Sequence, residues 1–198
     1  MRRNNALAIL FAFLFAAIAE PAWAHEGNIV RGGFAAGFSH PFFGLDHMLA
    51  MIAVGIWGGI LGRPLVYILP TVFPVMMAVG GVVAMAGVLI PFTEAGIALS
   101  LITLGVLIAA ERKLPVFAAV IIVAIFAICH GFAHGTELPL AADPLAYSSG
   151  FVFATGLLHL AGIGIGWLGS RSPAPALVSL VGGTAIAVAG GYFLLMQF

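Results

Sequence analysis

Ser39-His40-Pro41-Phe42-Phe43-Gly44-Leu45-Asp46-His47-Met48-Leu49-Ala50-Met51 leads into an apolar run that continues to Leu61. Two histidines and an aspartate stand at the entrance of that run. An ionisable group at the centre of a membrane-spanning helix costs roughly 2.5–3.5 kcal/mol on insertion scales, so groups kept there mark a pathway or a site. A second stretch has the same character: Cys129-His130-Gly131-Phe132-Ala133-His134-Gly135-Thr136-Glu137 closes another apolar run. The order of the chain is read here as a means of holding these two stretches side by side.

The surroundings of both motifs are lipid-like. Of 198 residues, 63% are hydrophobic and 7% are charged, and the mean hydropathy is +1.19. This composition defines an all-α integral membrane protein rather than a soluble domain. A formal net charge of zero leaves no basic stripe, which excludes nucleic acid as a partner. A single cysteine, Cys129, excludes an intrachain disulfide framework and a thiolate zinc cluster. Any metal must therefore be held by imidazole and oxygen.

Met1 to Ala24 has a basic start at Arg2 and Arg3, an apolar run and a small-x-small end at Ala22-Trp23-Ala24. These are the parts of a cleaved secretory signal peptide over residues 1–24. Cleavage would expose His25 as the new N-terminus of a single transmembrane domain, 25–198. Six apolar runs follow, at about 41–61, 65–90, 94–110, 114–134, 148–168 and 175–197, each suited to a hydrocarbon core of roughly 30 Å. The expected fold is a polytopic bundle of about six transmembrane helices. Arg63, Arg112, Lys113 and Arg171 lie in the first, third and fifth connections. The positive-inside rule makes those loops cytoplasmic and puts both ends of the mature chain outside, in a bacterial inner membrane. Glycines at helical spacing, Gly55/Gly59, Gly80/Gly81 and Gly162/Gly166, are expected to let helices approach closely.

This topology gathers the polar residues at the outer side. His40, Asp46 and His47 fall in the outer half of the first span, with Pro41 expected at the first helical position and His40 as its cap. His130, His134 and Glu137 form one stripe at the outer end of the fourth span, where imidazoles at i and i+4 can chelate one ion. Glu94 opens the third span on the same side, and His159 lies near the middle of the fifth. His25, Glu94, Cys129 and His159 are further possible metal residues. Imidazole with carboxylate suits nickel, cobalt, zinc and ferrous iron better than cuprous copper. The spacing leaves open whether the two motifs make one site or sequential sites.

His40-x5-Asp46-His47 and His130-Gly-Phe-Ala-His134-Gly-Thr-Glu137 resemble the two signatures of the HupE/UreJ family of nickel and cobalt permeases. The likeness extends through Gly37–Gly59, Phe126–Pro139 and Ala154–Gly166 with His159. It implies a non-enzymatic secondary permease for divalent nickel or cobalt, with the ion as transported substrate and no permanently bound cofactor. It further implies that His40, Asp46, His47, His130, His134 and Glu137 handle the metal. Cys129 stands where the resemblance leads one to expect phenylalanine. The rival readings are an intramembrane zinc hydrolase, which lacks the helical His-Glu-x-x-His signature, and a b-type haem anchor using paired histidines. No G-x4-G-K-[ST] loop is present, so the chain has no evident means of using ATP directly.

Overall fold

The computed structural model describes residues 33–137 and 143–197, and within them the chain is helical. Seven helices follow one another: α1 Phe34–Phe43, α2 Leu45–Leu61, α3 Leu65–Met85, α4 Thr93–Ala109, α5 Val116–Glu137, α6 Pro144–Ser170 and α7 Pro175–Leu195. The expected signal peptide and His25 lie outside the described residues. The α3, α5, α6 and α7 helices are long and apolar enough to cross a membrane, α1 and α2 together could form a fifth, broken span, and α4 is a 17-residue apolar helix. At 1.5 Å per residue, α4 reaches roughly 26 Å, close to the thickness of the hydrocarbon layer.

Turn residues set the boundaries. Proline occupies the start of α6 and α7, where its missing N–H costs nothing. The Asp143 carboxylate also caps α6 by accepting from Ala146 N at 3.0 Å. The run expected over 65–90 stops as a helix at Met85, because Gly87 adopts a φ of 77°. Val88 N then donates back to Val83 O at 3.3 Å, as in a glycine-terminated helix.

The first span departs most from expectation. Pro41 does not begin a spanning helix, and His40 does not cap one. Both lie inside the short helix α1, and Gly44 in extended conformation separates it from α2 at an angle of 86°. The break is not sealed inside the bundle, since Phe43 is exposed and Gly44 half-buried. Both line a recess at this end of the molecule, and broken backbone is tolerated at membrane depth where it lines a cavity. The bend has a direct use: it turns His40 back over the end of α2 that carries His47.

Three pairings hold the bundle: α3 with α5, α4 with α7, and α2 with α6, while α1 lies against α6. Each pairing is sealed by glycine against backbone. A methyl group at Gly55 would strike the His159 carbonyl, one at Gly162 the Ile52 carbonyl, and one at Gly80 the Ile128 carbonyl. Helices in lipid associate through such close packing because lipid tails are as apolar as leucine. The expected glycine contacts are therefore present. Between the pairs lies a core that includes Met51, Val54, Trp57, Leu69, Phe73, Leu101 and Leu104.

Candidate functional site

Four imidazoles meet where the bend of α1 and α2 faces the last turns of α5. The His40 and His134 rings stand 4.9 Å apart between centroids, His47 and His134 4.5 Å, and His47 and His130 4.8 Å. The two sequence motifs thus form one cluster. His130 is fully buried and His134 is 8% exposed. Beside them lies a recess of about 360 Å³ whose walls include Asp46, His47, Glu94 and His134.

Hydrogen bonds assign a role to each ring. Asp46, in the first turn of α2, accepts from both His47 N and His47 Nδ1 at 2.8 Å. With Nδ1 holding its proton toward the carboxylate, a neutral His47 presents a bare lone pair at Nε2. That atom is buried and has no hydrogen-bond partner among the described residues. Asp46 therefore orients His47 from behind, the usual arrangement behind a ligating imidazole. Gly44 leaves room for this pair, since a Cβ there would stand 3.3 Å from His47 Nδ1.

His130 is fixed by a residue that sequence reading passed over. Ser100, fully buried on α4, donates its hydroxyl proton to Ile97 O at 2.6 Å and stands 3.1 Å from His130 Nε2. A hydroxyl has one proton to give, so toward His130 it must accept. His130 Nε2 then carries the hydrogen and Nδ1 carries the lone pair. His130 Nδ1 too is buried and without a hydrogen-bond partner among the described residues. The only available signal was a lone serine in an apolar helix, which more often turns back on its own backbone, as Ser100 also does.

The third link is direct: His40 Nε2 and His134 Nδ1 share a hydrogen bond at 3.1 Å. Tyr147 and Phe151 of α6 close over this pair, with Phe151 4.5 Å from the His134 ring. Among the described residues no three His, Cys, Asp or Glu side chains already stand around one point as a finished metal site.

The remaining expected residues divide. Glu94 lines the recess. Glu137 ends α5, and its side chain lies outside the described residues. Cys129 is brought elsewhere: its sulfur packs where a Gly96 side chain would be, on α4. His159 is buried further along α6, and among the described residues the Phe73 ring stands between it and the cluster.

The fold and this cluster define a polytopic, all-helical membrane protein organised around buried histidines. The chain belongs to the HupE / UreJ protein family, which it matches over residues 13–193. It is 44% identical over 180 residues to Protein HupE of Rhizobium leguminosarum bv. viciae, covering 90% of this chain and 94% of that one. No solved structure matches it. The resemblance drawn from the two motifs is thereby confirmed at the level of family.

Proposed function

We propose that the protein is an inner-membrane permease for a divalent transition-metal ion, nickel or cobalt, captured by the four-histidine cluster. The observation that carries this reading is the pair of oriented, buried lone pairs at His47 Nε2 and His130 Nδ1, each backed on its other nitrogen by a fixed partner. Imidazoles so arranged are donors without an acceptor. The His40–His134 contact adds to this, because two nitrogens bound to one ion at about 2.0–2.1 Å stand roughly 2.9–3.4 Å apart. The observed 3.1 Å lies in that range. An ion replacing the shared proton could draw the rings inward and gain His47 and His130 by small rotations. Asp46 acts from behind His47, and Glu94 lends the mouth of the recess negative charge that favours cations.

Uptake of radioactive nickel and cobalt, measured separately in cells with and without the protein, tests the proposal. Accumulation of either ion above background supports it, and correctly inserted protein that moves neither ion overturns it. Because ligating imidazole must be neutral, protons compete with the metal. Uptake at fixed free metal is expected to fall as external pH drops from about 7.5 to about 5.5, as protons compete for the ligating nitrogens. A flat profile would speak against capture by imidazole.

Ser100→Ala gives a finer test. Losing the hydroxyl frees the His130 ring to turn or change tautomer, and loss of such partners typically lowers metal affinity roughly 10–100-fold. The expected result is a rise of about tenfold in the nickel concentration for half-maximal uptake, with normal protein levels. Ser100→Thr, which keeps the hydroxyl, should restore most of the affinity.

A further inference from the structure

Below the cluster, on α6, lies a polar pair that the capture site does not use. His159 is 2% exposed and Thr155 is 1% exposed. Neither ring nitrogen of His159, nor the Thr155 hydroxyl, has a hydrogen-bond partner among the described residues. Leaving a buried polar group unsatisfied forfeits its solvation with nothing gained in return. Three such atoms on adjacent turns of one helix are a standing cost to the fold, and in a membrane no solvent relieves it. Retained ionisable groups of this kind mark a pathway.

Their placement gives the pathway a direction. Phe151, Thr155 and His159 follow one another at i, i+4 and i+8, so they form a stripe down one face of α6. The first of them touches His134. The stripe therefore starts at the cluster and descends into the bundle. One ring interrupts the descent: Phe73 of α3 lies 5.4 Å from His130 on one side and 5.4 Å from His159 on the other. It is 1% exposed, so it fills the space between the two histidines.

The backbone carrying that ring is unusually weak. Pro70 and Pro74 both lie inside α3, flanking Phe73. Each removes a helical hydrogen bond and crowds the carbonyl four residues earlier. A helix interrupted twice within about one turn can flex there at lower cost than an intact one. An aromatic face can also tolerate a cation passing over it.

We infer that Thr155 and His159 form a second, inner relay site for the same divalent cation, separated from the capture cluster by a movable Phe73 ring. The inference rests on the permease reading above. The inner site offers one imidazole and one hydroxyl against four imidazoles at the cluster, so it holds the ion more weakly. Conduction requires such a step, with binding strong enough to enter and weak enough to leave.

The test separates binding from passage. Thr155→Val keeps the shape and removes the orphan hydroxyl, and His159→Leu keeps bulk and removes the imidazole. Cobalt(II) binding to each purified full-length variant, followed by its visible absorption, is expected to match the wild type within about threefold, because the cluster is intact. Uptake is expected to fall about tenfold or more in His159→Leu and several-fold in Thr155→Val, the loss of one or two contacts to a charged group. Wild-type uptake in Thr155→Val and in a folded His159→Leu would overturn the inner site while leaving the capture cluster standing. If His159→Leu does not fold, Thr155→Val alone decides by the same criterion, since removing an orphan hydroxyl should not destabilise the chain. A wild-type chain that neither binds cobalt nor takes up either ion would overturn the permease reading, and the inner site with it.

Discussion

Cells producing His47→Ala are expected to accumulate nickel no faster than cells without the protein, although the variant reaches the membrane in normal amount. His47 is the ring on which the cluster turns. It lies within 4.8 Å of His130 and 4.5 Å of His134, and so touches both histidines of the second motif. Its Nε2 lone pair is oriented by the Asp46 carboxylate. Removing a group that only orients a metal ligand costs roughly 10–100-fold, so losing the ligand itself should cost about 100-fold or more. Asp46→Asn separates the two roles. Asparagine can still accept from His47 Nδ1 but without charge, so a partial loss of about tenfold is expected. Retention of full uptake by His47→Ala, with wild-type concentration dependence, would remove the cluster as the capture site.

The asymmetry between these two variants shows how much the sequence reveals. That His40, His47, His130 and His134 matter is legible because each interrupts an apolar run, where an ionisable group has no cheap reason to stay. That they meet follows from the alternation of spans, which returns α5 to the end where α1 and α2 join. Their division of labour is not legible. Asp46 and His47 are neighbours in sequence, and only the fold shows one accepting from the other rather than both facing an ion. Pro41 pointed to a helix start because proline favours that position. The actual start is at Phe34, and the break comes at Gly44, where extended backbone and lack of a side chain matter more than the proline. Ser100 and Phe73 were hidden for the opposite reason. A buried serine and a buried phenylalanine are ordinary in a membrane helix, and only their position between histidines gives them a role.

The glycines of the second motif lead to the other large expected effect. His130 and His134 face the cluster, while Gly131 and Gly135 face α3, so one short stretch serves two surfaces. A methyl group at Gly131 would overlap the Met77 carbonyl, and one at Gly135 would stand 2.7 Å from the Gly81 backbone. The obstacle in each case is main chain rather than a side chain that could swing aside. Gly131→Ala must push α5 off α3 along their closest contact. Overpacking typically costs about 1–3 kcal/mol, and here the rigid neighbour favours the upper end. Gly131→Ala should therefore give lower yield of folded protein and a lower unfolding temperature in detergent, with uptake lost as a consequence. Gly182→Ala is the contrasting case: nothing lies within 4 Å of its added Cβ, on a helix that turns that face away from its neighbours. Alanine is the better helix former by roughly 0.5–1 kcal/mol, so this variant should be as stable as the wild type or more so. If Gly131→Ala were as stable as Gly182→Ala while uptake disappeared, the glycine would belong to the transport step and not to the packing. Stability and uptake falling together would show that the motif's spacing is set as much by the approach of two helices as by the chemistry of its histidines.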